Sequence, residues 1–369
     1  MTDGRSHARH SGRYTGRDSG RDTGYDSGRA HDASSHGQSS QDPTSRGPSS
    51  HGEGGHPGLD PILIEELSTP VDPRISALVT RILGSARPLA VLFYGSGLRR
   101  FDPDGLFDFY VVLDRLTDWP ASTLARLGNA LLPPNVFYAE HEIEGVTLRA
   151  KIAVLTLGQF RAGASPRSVD TTLWARFCQP VRLVWVDGPR AADAVLGVVR
   201  ACVVTAAGWA ARLGPGEAPP EAWWTTLFQR TYRAELRVEA AGRNAVLMAG
   251  YEQRYAALTL PAWQAGGIRA REGSSGTLVP LLDPGRKARA LRRWERMARR
   301  GRWRNIARLI KAAFTFRNGA AYLAWKIERH SGFSLALSPF EARHPLVCLP
   351  RLLWRARTIL RAGMTGRPK

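Results

Sequence analysis

The sequence predicts a mixed α+β protein: a β-sheet carrying helices, then a helical region, then a basic amphipathic helix. Three observations lead there. Five short apolar runs bounded by turn residues lie between residues 89 and 186. From Ala191 to about Leu260 the apolar spacing turns helical. Beyond Pro284 a Trp-studded segment is crowded with cations.

A chain of 369 residues has room for two or three domains, but its opening belongs to none of them. Residues 1 to 58 are mostly Gly, Ser, His, Arg and Asp, and they stutter through GRDSG, RDTG and YDSG. Such a segment has too little apolar surface to offset the entropy of ordering it, so a disordered low-complexity tail is expected. Its seven Arg balance six Asp and one Glu, which leaves the net charge of +20 to the rest of the chain. Six of the nine His also fall here, open either to a metal-binding tract or to plain solvation. Asp3 and the lack of an apolar stretch fit neither a secretory signal nor a transit peptide. Cys178, Cys202 and Cys348 show no zinc or disulfide spacing, which suits a reducing compartment. The most apolar long window, 191 to 211, is interrupted by Asp193 and Arg200, so no membrane span is expected.

The folded part is expected in three stretches: a sheet domain over 59–190, a helical domain over 191–283 and a basic region over 284–369. Ile75 to Ala86 has helical spacing and stops before Pro88. LAVLFY (89 to 94) reads as a buried strand running into Gly95, and a second strand, DFYVVL, starts at Asp108. NVFYAEHEI (135 to 143) and VTLRAKIAVLTL (146 to 157) form a hairpin around Glu144 and Gly145, with Lys151 and Arg149 on one face. VRLVWV (181 to 186) is a fifth strand, and EGSSG (272 to 276) marks a loop.

The chemistry concentrates in YGSGLRRFDPDGLFDFYVVLD, residues 94 to 114. A strand ending in Gly-Ser turns sharply, leaving amides and the Ser96 hydroxyl available to phosphate oxygens. Asp108, at the head of the next strand, could then hold a Mg²⁺ ion that bridges the same phosphates. This arrangement suits a nucleotidyltransferase hairpin, but a plain hairpin with a charged mouth has the same letters. The second acid of such a pair is missing, because position 110 is Tyr. Asp114 shares the parity of Asp108 but lies roughly 20 Å along the strand, so it is left out of the site.

Several segments, in order, resemble the mitochondrial, peripheral type of phosphatidate cytidylyltransferase. YGSGL looks like that family's YGSGV. DFYVVLDRLTDW resembles its Asp-led strand, with Asp108, Asp114 and Trp119 in register. VFYAEHEIEGVTLRAKIAVLT is similar to its tyrosine-bearing strand followed by a lysine-bearing one, here Lys151, and LWARFCQPVRL aligns Arg176 and Pro180. TYRAELR resembles a further box, with Glu235 standing where the family has Asp, followed by Arg237; KAAFTFRNGAAYLAWKIERHSG is similar to its basic C-terminal helix. The resemblance covers about residues 89 to 330. It implies a nucleotidyltransferase-fold sheet domain, a winged-helix-like helical domain and a membrane-associating basic end. It also implies a reaction, in which CTP and phosphatidic acid give CDP-diacylglycerol and pyrophosphate with Mg²⁺ as cofactor. The roles carried over are Gly95, Ser96 and Gly97 with Arg176 and Arg237 for the nucleotide, Asp108 and Glu235 for the metal, and Lys151 for charge neutralisation during transfer. Surface or solvated roles remain open for Lys151, Arg176, Glu235 and Arg237. A bacterial cytoplasm, on the inner face of the membrane, is the expected location.

Residues 284–317 contain 13 Lys and Arg against Glu295 alone, and 351–369 add six more with no acid, so these stretches carry 18 of the 20 net charges. Trp303, Ile306, Ile310, Ala313 and Phe314 recur at helical spacing beside Arg304, Arg308 and Lys311. The expectation is an amphipathic helix on an anionic bilayer, its membrane-binding set being Trp303, Arg304, Arg308, Lys311 and Phe314. Two readings compete with it: nucleic-acid binding through the same cations, and an apolar stripe that is only a packed core face. At the level of function, the alternatives are a nucleotidyltransferase acting on RNA, protein or a small molecule, and a non-catalytic membrane-binding relative.

Overall fold

The computed structural model describes residues 56–234 and 248–315. The expected tail therefore lies outside the described residues except for 56–58, as does the basic stretch beyond 315.

The chain opens with α1 (Asp60–Ser68) and α2 (Pro73–Leu83). The start of α2 is fixed by Asp72, whose carboxylate accepts the Arg74 amide at 2.9 Å, with Pro73 in the first turn. Strands β1 (Ala90–Tyr94) and β2 (Leu106–Leu113) follow. After α3 (Thr123–Leu131) come β3 (Asn135–Ile143) and β4 (Val146–Thr156), joined at Glu144 and Gly145, which both have positive φ, as a tight hairpin turn requires. Thr156 and Gln159 close a reciprocal cap on α4 (Leu157–Ala164). A one-turn helix, α5 (Trp174–Phe177), then leads into β5 (Val181–Val186).

The strands form one mixed sheet in the order β3-β4-β2-β1-β5, with β2 and β4 parallel and the other pairs antiparallel. Both faces are covered. On one, α2 packs over Val91, Phe93, Phe109, Val111 and Ile152. The other carries Leu92, Tyr110, Val112 and Leu155, which join a core continuous with the helical part of the chain.

That core is organised around α6 (Gly188–Leu213), which α7 (Pro220–Ala234) and α8 (Glu252–Ala265) flank. Helix α6 is long and apolar enough to cross a membrane by length and composition, yet 67% of its apolar window is buried inside the protein. It is apolar nearly all round because neighbours surround it. The boundary expected at residue 190 falls inside α6, whose residues share one core with the sheet. A two-stranded ribbon, β6 (Ala270–Glu272) and β7 (Leu278–Pro280), brackets the EGSSG turn, and α9 (Pro284–Thr315) follows.

Helix α9 reverses the expected polarity. Its first half buries Ala290, Trp294, Met297 and Ala298. Continuing that face at helical spacing brings Arg304, Arg308 and Lys311 onto the protein. Arg304 and Arg308 each reach Asp170 Oδ2 at 2.9 Å, and Arg308 also donates to Thr172 Oγ1 and the Pro133 carbonyl. Lys311 Nζ reaches the Pro134 carbonyl and Asn135 Oδ1 at 2.8 and 2.9 Å. These three cations, expected to face a bilayer, instead compensate a buried carboxylate and loop carbonyls. The apolar residues Trp303, Ile306 and Ile310 are exposed. The side chain of Phe314 lies outside the described residues.

Candidate active site

Strand register assembles the site. Tyr94 pairs with Asp108, Asp108 with Lys151, and Lys151 with Tyr138, so four side chains form one rank across β1, β2, β4 and β3. Paired residues point to the same side of a sheet, here the face towards α5. Lys151 Nζ stands 3.9 Å from Asp108 Oδ1, an ion pair whose side chains keep 38% and 26% of their exposure. A pair that is open and longer than a hydrogen bond leaves carboxylate lone pairs accessible to a ligand.

The turn beside this rank is built for glycine. Gly95 has φ 94°, and a Cβ there would come within 3.4 Å of Asp108 Oδ2. A single 3-10 turn, Ser96–Leu98, follows. The Leu98 and Arg99 amides donate back to Gly95 and Ser96, whereas the amides that open such a turn have no partner within it. Gly97 has a packing reason of its own, since a Cβ would sit 2.8 Å from Phe93 Cζ. The glycines thus meet a structural need of the turn itself.

Arg176 reaches the same corner from α5. Its Nη1 donates to the Tyr94 and Tyr110 hydroxyls at 3.1 and 3.3 Å, and the guanidinium lies 5.2 Å from the centre of the Tyr94 ring. Tyr110, at the position where a second acid would point alongside Asp108, is 1% exposed and packs edge-on against Phe177 at 4.9 Å. Bulk and a hydroxyl that orients Arg176 therefore replace a carboxylate. On β3, Tyr138 hydrogen-bonds Glu140, and Glu140 lies 3.5 Å from Arg149, so a second ion pair flanks the rank.

Asp108, Lys151, Arg176 and the turn at 95–97 are thus brought together. Asp114 follows the end of β2 and pairs loosely with Arg115 at 3.7 Å, away from the rank. Glu235 and Arg237 lie outside the described residues. The sequence reading missed Tyr94 and Tyr138 as members of the rank and Tyr110 as the support of Arg176. Strand parity carried part of that signal, since Tyr110 shares the face of Asp108, and the expected hairpin around Glu144 and Gly145 sets Tyr138 opposite Lys151; the pairing of β2 with β4 was not deducible.

Among the described residues no group of three or more His, Cys, Asp or Glu could hold a metal ion alone. Asp108 fits a more modest arrangement, in which one carboxylate and the phosphates of a bound nucleotide share a hard cation. Cys178 and Cys202 are buried, and burial pushes the Cys178 thiol up to about 12, so neither is suited to nucleophilic chemistry. No protein-family model matches the chain, and no curated protein is significantly similar to it.

Proposed function

We propose that the protein is a nucleotidyltransferase with a lipid phosphate as acceptor, and specifically a phosphatidate cytidylyltransferase that converts CTP and phosphatidic acid to CDP-diacylglycerol and pyrophosphate. The observation that carries this reading is the placement of Asp108, paired with Lys151 at 3.9 Å, directly beside the Gly95 turn. The strand order and the β1-turn-β2 hairpin support a nucleotidyltransferase fold, and the ribbon after α8 supports a winged-helix-like second part.

In this reading the turn at Gly95, Ser96 and Gly97 receives the triphosphate, and Asp108 anchors the cation shared with it. A Mg²⁺ ion, when bound there, would neutralise charge on the phosphates and on the departing pyrophosphate. An oxygen of the lipid phosphate attacks the α-phosphorus, a new P–O–P linkage forms, and the bond to the β-phosphate oxygen breaks with its electron pair. A phosphate monoester with a second pKa near 6 is already an anion, so no general base is required. The difficulty is bringing two anions together, and Lys151 and Arg176 supply positive charge at the corner where they would meet. The acceptor is membrane-bound, and the exposed Trp303, Ile306 and Ile310, with Arg299 and Arg302 beside them, offer an apolar strip with cationic flanks.

The test supplies labelled CTP and phosphatidic acid vesicles with Mg²⁺ and then with EDTA, and compares the other three nucleotides. Formation of CDP-diacylglycerol that EDTA abolishes is expected. Release of pyrophosphate only with a non-lipid acceptor would move the protein to another nucleotidyltransferase class. Burial of Tyr110 in the second-acid position favours one further reading, a non-catalytic relative, for which no nucleotide yields pyrophosphate with any acceptor.

A further inference from the structure

A cleft of about 460 Å³ lies between α6 and α9, remote in sequence from the Asp108 rank, and four of its lining residues are arginines: Arg212, Arg286, Arg289 and Arg293. Its walls also include Trp209 and Gly208. Arg212 folds back along α6, its Nη1 donating to the Gly208 carbonyl at 2.6 Å. A Cβ at 208 would fall 2.7 Å from that nitrogen, so a larger residue there would push the end of the Arg212 side chain aside. Arg293 donates to the Pro166 carbonyl and lies 5.6 Å from the Trp209 ring centre, so it is oriented without being neutralised.

Compensation within the cleft is sparse. Arg289 stands 3.9 Å from Asp283, with both side chains more than half exposed. Among the described residues, no carboxylate comes within ion-pair distance of Arg212, Arg286 or Arg293. Burial lowers the Arg212 pKa, and the charges of Arg286 and Arg293 lower it further, as expected of cations gathered without an anion. Repulsion of this kind costs stability unless a ligand offsets it. Guanidinium forks match phosphate oxygens two at a time, and the cleft is large enough for a small organic phosphate rather than a bare ion.

We propose that the α6–α9 cleft is a binding site for a phosphate ester or diphosphate group, separate from the Asp108 site and independent of the function proposed above. Arg212 and Arg293, held by carbonyls and by Trp209, form the inner part of the site, and Arg286 and Arg289 close over the ligand from α9. The phosphate can belong to a soluble metabolite or to a lipid headgroup, since the recognition chemistry is the same.

The full chain is titrated calorimetrically in EDTA at physiological ionic strength with pyrophosphate and with glycerol 3-phosphate, and is pelleted with phosphatidylcholine vesicles with and without phosphatidic acid. The parent should bind at least one of these phosphates. The exposed pair Arg286→Gln/Arg289→Gln should weaken that binding by about tenfold or more. In a Lys151→Gln background, which removes a cation of the other site, the loss caused by Arg286→Gln/Arg289→Gln should persist in full, and this separates the inference from the function proposed above. Binding of the soluble phosphates identifies a metabolite as the source; retention on phosphatidic acid vesicles alone, provided that Arg286→Gln/Arg289→Gln weakens it, identifies a headgroup. The proposal is overturned if nothing binds, if the double variant binds like the parent, or if Arg299→Gln/Arg302→Gln causes an equal loss of soluble-phosphate binding, which would mean diffuse attraction to a basic helix.

Discussion

Replacing Glu66 by Gln should cost about 3 kcal/mol of folding stability, because this carboxylate holds three parts of the protein at once. Glu66 on α1 and Arg254 on α8 form an ion pair whose side chains are only 8% and 11% exposed. Arg254 makes two contacts to the carboxylate and a third to the Cys178 carbonyl at 3.0 Å, while Glu66 also accepts the Val181 amide at 2.9 Å. Removing one partner of a buried pair costs about 3 to 5 kcal/mol, since the other charge is stranded. Gln preserves volume and one acceptor for Val181, which places the expected loss at the lower end. Glu66→Ala should cost about 1 to 3 kcal/mol more, by leaving that amide unpaired as well. Urea unfolding at neutral pH measures each variant. Arg254→Met combined with Glu66→Gln should recover part of the loss, because the two residues act as a unit. A loss below about 1 kcal/mol for Glu66→Gln, or strict additivity of the two changes, would refute the reasoning. The cluster bears on the site as well, because Cys178 and Val181 immediately follow α5, the turn that carries Arg176.

Asp108→Asn should abolish nucleotidyl transfer while far-ultraviolet dichroism and the unfolding midpoint stay close to those of the parent; retained turnover would remove Asp108 from the mechanism. Gly97→Ala should destabilise by about 1 to 3 kcal/mol in denaturant, since its methyl would press on the Phe93 ring 2.8 Å away. Burial would raise the pKa of Asp170, but Arg308, the Thr172 amide and Arg304 outweigh it, and the net shift is downward. A carboxylate with a lowered folded pKa contributes stability above its unfolded value, about 3.9, and loses it as pH falls through the folded one. Asp170→Asn should therefore be less stable at pH 7 and show a shallower loss on acidification below about pH 4, read from thermal melts across pH. Trp303→Ser with Ile310→Ser should reduce binding to anionic vesicles without lowering the melting temperature, because both side chains are exposed.

Local signals made much of the architecture legible. β3 and β5 have the bounds that alternation and turn residues give, and the Glu144–Gly145 turn shows the positive φ that a two-residue hairpin demands. The Gly95 turn and Asp108 were recognisable because a glycine at a sharp turn and an acid beside an apolar run are local features, although β2 begins at Leu106, two residues before the expected start at Asp108. Helix α1 was not recognised; its run of Ile, Leu and Glu is short, and its place is set by burial of Leu63 and Leu67 and by the distant Arg254.

Sequence by itself determined the five strands of the sheet, the strand parity that puts Tyr110 on the Asp108 face, and the gathering of positive charge in residues 284–317. Tertiary structure alone decided that β4 lies beside β2 and β5 beside β1, and so that Lys151 meets Asp108 through a parallel pairing of segments some forty residues apart. It also decided which side of α9 faces the protein. Amphipathicity divides a helix into two faces, but whether the cations point to solvent depends on a buried carboxylate such as Asp170, which needs them more than water does.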